Sequence, residues 1–398
     1  MPSDPKASAP APAASTWKIP LADIRLGDDE KTAALDVLES GWLTMGPRTA
    51  RFEEAIGAAL GAPHVAAVSS GTAALHLAYA ALGVGPGDEV ICPSLTFVAT
   101  ANAALALGAT VVLADSIGPE DLCVDPDDIE LKITPRTKVI AVVHYGGFPC
   151  EMDRIVDMAR RHGVRLVEDV AHAPLASWRG RALGTFGDVG CFSFFSNKNM
   201  TTAEGGAVVA RDPDLHDRLK LLRSHGVTAQ TYQRHLGKAT LYDVVLPGFN
   251  YRIDEIRSAI GLVQLGRLPA RNARRRELAR LYHQVLAGIV DLPFPADAQG
   301  AHRVSAHHIM PVLLPRGVDR EAVRNEMHAR GVQTSVHYSA IHSFTFHGSS
   351  PMVRRAGLSR CDDLCERQLT LPLWAEMTEA HVEQVAEVLA EALRVHAG

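Results

Sequence analysis

Apolar positions along the first part of the chain follow two alternating periods. From Val65 to about Arg223, short apolar runs typical of buried strands alternate with segments of helical period. The predicted strands are Val65–Val68, Glu89–Cys92, Thr110–Ala114, Lys138–Val143, Arg165–Glu168, Val189–Phe195 and Ala207–Ala210. The helices predicted between the earlier strands are Thr72–Leu82, Phe97–Leu107, Pro126–Lys132 and Met152–His162. This order predicts an α/β domain with a mostly parallel, seven-stranded central sheet and helices on both faces.

The pattern changes after Asn250. A long helix is predicted over Asp254–Gln284, and a connection that contains Pro follows it around Leu292–Gly300. The remaining predicted elements are a strand, a helix, an extended segment and a closing helix, namely Ile309–Leu314, Arg320–Arg330, Val332–Tyr338 and Glu379–Leu393. We therefore expect a disordered tail, a large α/β domain and a smaller C-terminal α+β domain, over residues 1–16, 17–265 and 266–398.

Composition and charge narrow the class of protein. The 398 residues are 47% hydrophobic and 21% charged, which is typical of a soluble globular protein, and this length favours more than one domain. The formal net charge of −5 argues against a general nucleic-acid or anionic membrane surface, and no apolar run approaches the length of a membrane helix. The six cysteines are scattered, so we expect a reducing cytoplasm and no metal site. Small molecules are the expected partners.

The first of three segments with candidate chemistry is Ser69–Leu75 (SSGTAAL). It follows a predicted strand and opens a predicted helix. Its small residues would let free backbone N–H groups and the helix dipole meet a phosphate. The same sequence also suits an ordinary helix N-cap, so this segment alone leaves both interpretations open.

The second segment, Val167–Ala173, places two carboxylates and a histidine at the end of a predicted central strand. Open α/β sheets bind their ligands at the carboxyl ends of such strands. Asp169 is then either a carboxylate that faces a cationic ring nitrogen or a cap of the next helix.

The third segment contains Lys198, one of only eight lysines against 32 arginines. Lys198 follows an aromatic, apolar strand and precedes the turn Glu204-Gly205-Gly206. Partial desolvation there would lower the pKa of its amine and make the amine a nucleophile. The alternative is a surface lysine whose stem packs on apolar neighbours.

Together the three segments supply the groups that pyridoxal 5′-phosphate (PLP) requires. A lysine holds the aldehyde as a Schiff base, a carboxylate keeps the pyridinium nitrogen protonated, and a cradle anchors the 5′-phosphate. The three segments together therefore favour a PLP enzyme over the alternative that they are an ordinary helix N-cap, a helix-capping aspartate and a surface lysine.

On these segments the sequence resembles the DegT/DnrJ/EryC1/StrS family of PLP-dependent sugar aminotransferases. The family has the aspartate-aminotransferase-like fold, PLP-dependent transferase fold type I, and the resemblance runs from about Ile19 to the closing helix. The further motifs that carry it are Gly41–Pro47 (GWLTMGP), Pro93–Thr100 (PSLTFVAT), Gly248–Arg252 (GFNYR), Gln264-Leu265, Val336–Tyr338 (VHY) and Leu371–Leu373 (LPL). One departure is Ala203, where Gly is commoner. Its methyl group should be tolerated unless the backbone there requires positive φ.

The resemblance implies roles for individual residues around the cofactor. Lys198 would be the Schiff-base lysine and proton shuttle, and Asp169 the pyridinium partner. His172 would be a catalytic neighbour of the ring or its phenolic oxygen, and Phe97 would stack on the ring. The implied phosphate-binding residues are Gly71, Thr72, Ala73 and Ser193.

The resemblance also implies a homodimer with shared active sites. Asn250 would reach across the interface to the cofactor phosphate bound by the neighbouring subunit. Met45, His337 and Tyr338 would line the substrate side, although His and Tyr are nearly as often half-buried packing residues.

The implied activity moves an amino group from glutamate or glutamine to the keto carbon of a nucleotide-linked deoxysugar, through PLP and pyridoxamine 5′-phosphate (PMP), as in deoxyaminosugar biosynthesis. A non-nucleotide ketone such as a cyclitol ketone stays open as the acceptor. A PLP- or PMP-dependent sugar dehydratase is a further alternative, but similar dehydratases carry His where this chain has Lys198. A DNA-binding regulator of the same fold is disfavoured, because no basic helical module precedes Trp17.

Overall fold

The computed structural model describes residues 17–228, 237, 241–294 and 302–396, so the predicted tail lies outside the described residues. The α-helices are α1 (Asp28–Ser40), α2 (Pro47–Leu60), α3 (Gly71–Ala81), α4 (Ala99–Leu105), α5 (Pro126–Lys132), α6 (Met152–His162), α7 (Pro213–Arg223), α8 (Glu255–Val285), α9 (Arg320–Ala329), α10 (Thr345–Ser349), α11 (Ser359–Arg367) and α12 (Glu379–His396). The strands are β1 (Val65–Val68), β2 (Glu89–Pro93), β3 (Thr110–Ala114), β4 (Ser116–Gly118), β5 (Asp121–Val124), β6 (Thr137–Val143), β7 (Arg165–Asp169), β8 (Ser177–Trp178), β9 (Arg181–Ala182), β10 (Val189–Ser193), β11 (Gly206–Ala210), β12 (Arg303–Val304), β13 (Met310–Leu313), β14 (Val353–Arg354) and β15 (Gln368–Leu371). Within this described part, no helix is long and apolar enough to cross a bilayer.

The main sheet confirms the predicted α/β architecture and corrects the number of strands. Its order is β1-β11-β10-β7-β6-β2-β3-β14, so the seven predicted strands are joined by an eighth, β14. The hydrophobic pattern did not predict β14, because this strand has only two residues, one of them Arg354, and Arg355 follows it, so no apolar run is present. Neighbouring strands pair in parallel except β1 with β11 and β11 with β10.

The topology brings the ends of three strands to one edge of the sheet. β7 ends at Asp169, and its parallel neighbour β10 ends at Ser193. Gly206, at the start of β11, pairs with Ser193 on one side and with Val68, the last residue of β1, on the other. Helix α3 begins three residues later, at Gly71. The three candidate segments therefore meet at this edge, where α/β sheets bind ligands.

Buried apolar side chains form two clusters that meet along the long helix α8. The larger cluster surrounds the main sheet and includes Phe52 and Leu268, whereas the smaller cluster includes Ile19, Leu278 and Tyr282. Helix α8 thus passes from one cluster to the other. We propose that the boundary between the two domains lies on this helix, near residue 265.

Candidate active site

Lys198 lies just beyond β10, in the loop that leads to β11. Its backbone N–H donates to the Phe195 carbonyl at 3.0 Å, and its side chain is half-buried. Desolvation lowers the pKa of Lys198 to about 8, and the carboxylate of Asp169 offsets only part of this effect. The amine therefore loses its proton more readily than an exposed lysine does, as a nucleophile requires.

Asp169 presents a buried carboxylate, 6% exposed, at the end of β7. Thr100 Oγ1 donates to Asp169 Oδ2 at 2.8 Å, and the Ala171 N–H donates to Oδ1 at 3.1 Å. Burial raises the pKa of Asp169, while these hydrogen bonds and the charge of Lys198 act in the opposite direction. A carboxylate offers about four lone-pair positions, so Asp169 keeps acceptor capacity for a further N–H donor.

Glu168, the neighbour of Asp169, supports a different part of the molecule. Successive side chains of a strand point to opposite faces, so the two carboxylates face apart. The buried Glu168 carboxylate accepts three backbone N–H bonds from the loop 184–187 at 2.7–2.8 Å and lies 3.2 Å from His144 Nε2. Glu168 therefore stabilises this loop rather than the group around Lys198.

His172 follows β7 and has a buried imidazole ring. The Gly146 N–H donates to His172 Nδ1 at 3.3 Å, and His172 Nε2 lies 2.9 Å from the Tyr338 hydroxyl. Burial, together with the charge of Lys198, holds the pKa of His172 well below its usual value. His172 is therefore neutral near pH 7, with both ring nitrogens engaged.

The predicted phosphate-binding residues gather where α3 begins. Ser70 caps this helix, because its Oγ accepts from the Ala73 N–H at 3.1 Å, so that N–H already has a partner. Gly71 lies so close to Ser193 that a Cβ on Gly71 would be 2.7 Å from the Ser193 Cβ. Thr72 is exposed in the first turn of α3. The helix N-terminus and the Ser193 hydroxyl therefore lie side by side, an arrangement that suits a phosphate.

Phe97, Tyr338 and His337 are three of the predicted ring-stacking and substrate residues. Phe97 is 56% exposed, and its ring centroid lies 5.8 Å from that of Tyr338. His337 Nδ1 lies 3.2 Å from Thr370 Oγ1. Burial and the charge of Lys198 lower the pKa of His337 to about 4. His337 thus lies within reach of the charge of Lys198, and Phe97 and Tyr338 lie beside each other.

Met45 and Asn250 differ from the other predicted site residues. Met45 is buried in the loop between α1 and α2, whereas Asn250 is exposed and forms an isolated antiparallel bridge with Ser224. In the described part of the chain, neither forms a hydrogen bond or ion pair with Lys198 or Ser193. The exposed Asn250 side chain remains accessible from outside the chain.

Sequence reasoning missed residues that hold the site in place. Thr100, which bonds Asp169, stands in a quoted motif one helical turn after Phe97, and that spacing was the available signal. Asn199 directly follows Lys198 and is anchored by Asn272, and this long-range contact leaves no trace in the local pattern.

The groups present fit PLP. The Lys198 amine suits the aldehyde, the spare acceptor capacity of Asp169 suits the ring N–H, and the junction of Gly71 with Ser193 suits the phosphate. The exposed ring of Phe97 offers a face for stacking.

Comparisons with known proteins agree with this chemistry. The sequence model of the DegT/DnrJ/EryC1/StrS aminotransferase family matches residues 25–390. The aminotransferase TlmJ from Streptoalloteichus hindustanus is 35% identical over 96% of this chain and 100% of its own, with a TM-score of 0.86. The sugar aminotransferase CalS13 from Micromonospora echinospora is 34% identical over 94% of this chain and 99% of its own, with a TM-score of 0.85.

A third similar structure bears on the cofactor. Spr1654 from Streptococcus pneumoniae, in its PMP form, is 28% identical over 95% of this chain and 100% of its own, with a TM-score of 0.88. The same protein is also known in a PLP form. Both forms of the expected cofactor therefore occur in this fold.

Proposed function

The chain belongs to the DegT/DnrJ/EryC1/StrS aminotransferase family, and we propose that it moves an amino group from glutamate or glutamine to the keto carbon of a nucleotide-activated deoxysugar. Like its relatives, the protein is a PLP-dependent sugar aminotransferase. The amino donor and the nucleotide-linked acceptor are the proposed part. The aminotransferase chemistry is supported by the Lys198 amine, whose pKa is lowered, acting together with the buried Asp169 carboxylate, and a sugar acceptor is supported by the similar sugar aminotransferases.

The residues of the site supply binding and proton transfer. When bound, PLP supplies an electron sink that stabilises negative charge on the carbon next to the amino nitrogen. Lys198 Nζ would hold the cofactor covalently and, once displaced by the amino donor, would move a proton between carbon atoms. Asp169 would hold the proton on the ring nitrogen, and Gly71, Thr72 and Ser193 would anchor the phosphate.

The relatives support a sugar as the acceptor, because CalS13 is a sugar aminotransferase. Lys198 supports transamination over dehydration, since the dehydratases of this type that resemble the chain lack that lysine. The site also admits a cyclitol ketone, because the loops that select the acceptor are not determined by the cofactor chemistry.

We propose that the enzyme is a cytoplasmic homodimer with shared active sites. The exposure of Asn250 supports this, because its side chain is available to a second subunit. The segment that carries it runs beside the phosphate-binding region, since the Ser69 N–H donates to the Tyr251 carbonyl at 2.8 Å. A C2 interface would exchange such contacts between subunits. Six unpaired cysteines are consistent with a reducing compartment.

The experiment that tests the proposed substrates follows the cofactor spectrum. The enzyme in its PMP form is mixed with a panel of nucleotide keto-sugars and cyclitol ketones, and the return of the PLP absorbance is recorded. A nucleotide keto-sugar should react fastest. Reaction with cyclitol ketones alone would contradict the nucleotide-sugar assignment, and separate loading with glutamate and glutamine identifies the donor.

A further inference from the structure

Asn199, the residue after Lys198, fixes the proton position of His308. Asn199 Nδ2 donates to Asn272 Oδ1 and to the Ala306 carbonyl, both at 2.8 Å, which uses both amide hydrogens. A carbonyl can only accept, so this orientation of the amide is determined. Asn199 Oδ1 then accepts from His308 Nδ1 at 3.0 Å. Because burial holds the pKa of His308 well below its usual value, His308 is neutral and carries its ring proton on Nδ1.

His308 in turn packs against His172, whose own proton position is also determined. The two ring centroids are 4.4 Å apart. The Gly146 N–H can only donate, so His172 Nδ1 carries a lone pair. The neutral ring therefore carries its proton on Nε2, and Nε2–H donates to Tyr338 Oη at 2.9 Å. Contacts with three residues thus fix both the orientation and the tautomer of His172.

Tyr338 accepts from His172, so its own hydroxyl proton points elsewhere. Among the residues that the structure describes, Tyr338 Oη has no hydrogen-bond partner besides His172. The Tyr338 ring lies beside Phe97, and burial, with a smaller contribution from the charge of Asp169, raises the pKa of Tyr338. The Tyr338 hydroxyl therefore lies next to His172, on which the charge of Lys198 acts, and the Tyr338 ring lies next to Phe97.

We infer that Tyr338 is a hydrogen-bond donor to the carbonyl oxygen of the ketone substrate, with His172 and His308 as the positioning residues that direct its hydroxyl. The inference rests on the proposed transfer of an amino group to a ketone. The inference gives Tyr338 a specific hydrogen bond to the substrate, whereas the family resemblance implies only that Tyr338 lines the substrate side.

The chemical role follows from the way a ketone reacts with an amine. As the C–N bond forms, the π electrons of the C=O bond move onto the oxygen, and a nearby O–H donor stabilises that charge. Tyr338 keeps its proton in this step. Burial raises the pKa of Tyr338, so the hydroxyl remains a donor across the working pH range. A phenylalanine would keep the ring packing and lose only the donor.

The kinetic test compares Tyr338→Phe with Tyr282→Phe in the holoenzyme. Tyr282 is a buried tyrosine of the smaller cluster whose hydroxyl donates to the Pro372 carbonyl at 2.8 Å, so the control loses one hydroxyl outside the site. Each enzyme in its PMP form is mixed with 2-oxoglutarate and with each keto-sugar that the wild type accepts. We expect Tyr338→Phe to react about 100- to 1,000-fold more slowly with both kinds of ketone, and Tyr282→Phe to react at the wild-type rate.

Two kinetic results would overturn the inference. One is an unchanged rate in Tyr338→Phe. The other is a loss confined to keto-sugars, because every ketone presents the same carbonyl and a selective loss would indicate a contact with the sugar. If the wild type reacts with 2-oxoglutarate and with no keto-sugar, the proposed acceptor is wrong, while the 2-oxoglutarate rate still decides the role of Tyr338.

A second measurement is independent of any substrate. Nitrogen NMR of holoenzyme labelled with 15N-histidine reports which ring nitrogen of His172 carries the proton, and the His172→Gln variant assigns the signals. The expected state is Nε2–H with an unprotonated Nδ1. A proton on Nδ1, or an imidazolium at pH 7, would contradict the inference even if the kinetic loss were found.

Discussion

The hydroxyl of Thr100 donates a 2.8 Å hydrogen bond to Asp169 Oδ2 and so ties the first turn of α4 to the end of β7. This bond fixes the rotation of the carboxylate and favours its charged form, against the burial that raises its pKa. Helix α4 begins two residues after Phe97, the residue proposed to stack on the cofactor ring, so the segment that carries Phe97 leads directly into the helix that bonds Asp169. The geometry of the candidate cofactor site is thus built partly by residues outside the segment that contains Lys198.

The contrast between Asp169 and Glu168 gives the first prediction. Asp169→Asn should lower kcat at least about 100-fold with little loss of stability, because an amide does not hold the ring proton as a carboxylate does. Glu168→Gln should lower the free energy of unfolding by about 1–3 kcal/mol, because a buried acceptor of three backbone N–H bonds is replaced by a group that also donates. Its kcat per folded molecule should stay within a few-fold of the wild type.

Steady-state kinetics and thermal unfolding on the same preparations check this pair. Equal losses of kcat in both variants would remove the distinction between the two carboxylates.

The lowered pKa of Lys198 predicts an unusual pH dependence in the apoenzyme. The free amine increases as pH rises through the pKa, so acetylation of Lys198 should rise with a midpoint near pH 8. Lys31 is the control, because its ion pair with Asp28 raises its pKa above the ordinary value. Competitive labelling with acetic anhydride, followed by mass spectrometry of each peptide, measures both midpoints. A Lys198 midpoint at or above that of Lys31 would show that the amine is not desolvated.

Ala203 gives a prediction about stability. Tolerance of its methyl group was expected only if the backbone did not require positive φ, and the structure shows φ = +67° at this exposed residue. Ala203→Gly should therefore raise the free energy of unfolding by about 1 kcal/mol. The matched control is Ala390→Gly in α12, where the same change should lower it by a similar amount. Denaturant unfolding of both variants measures the two signs, and a destabilised Ala203→Gly protein would contradict the strained backbone.

Strong local periodicity explains how much of the fold could be predicted. The predicted helix Met152–His162 has the bounds found for α6, and the predicted strand Thr110–Ala114 has those of β3. The predicted bounds are wrong where the local hydrophobic pattern continues beyond the residues that pair with a neighbouring strand. The strand predicted to Phe195 ends at Ser193, because the pairing with β11 stops there and the chain turns toward Lys198.

The supporting contacts of the site could not be predicted in the same way. Asn199 is anchored by Asn272, and Tyr338 is bonded to His172, across large separations in sequence. Such pairs depend on how α8 and the C-terminal segment pack on the sheet, which periodicity does not encode. Several of the predicted site residues were easier, because Asp169 and Ser193 each end a strand and Gly71 begins a helix.

The proposed sharing of active sites between two subunits predicts complementation between two inactive variants. Lys198→Ala and Asn250→Ala chains should each be nearly inactive. If Asn250 acts in the partner's site, a hybrid dimer has one complete site, and co-expression should restore activity. If Asn250 acts within its own chain, every hybrid site lacks one residue and mixing restores nothing.

The single-variant rates provide the control for this experiment. A mild defect of Asn250→Ala alone would contradict a phosphate contact and reduce Asn250 to an interface packing residue.

The most direct test of the proposed active site is to identify the lysine that holds the cofactor. The holoenzyme is reduced with borohydride, digested, and its peptides are mapped by mass spectrometry, with Lys198→Ala treated in parallel. We predict one cofactor per chain on the peptide that contains Lys198, and a folded Lys198→Ala protein that binds cofactor without the covalent link and does not turn over. Fixation of the cofactor on any of the other seven lysines would contradict the proposed active site.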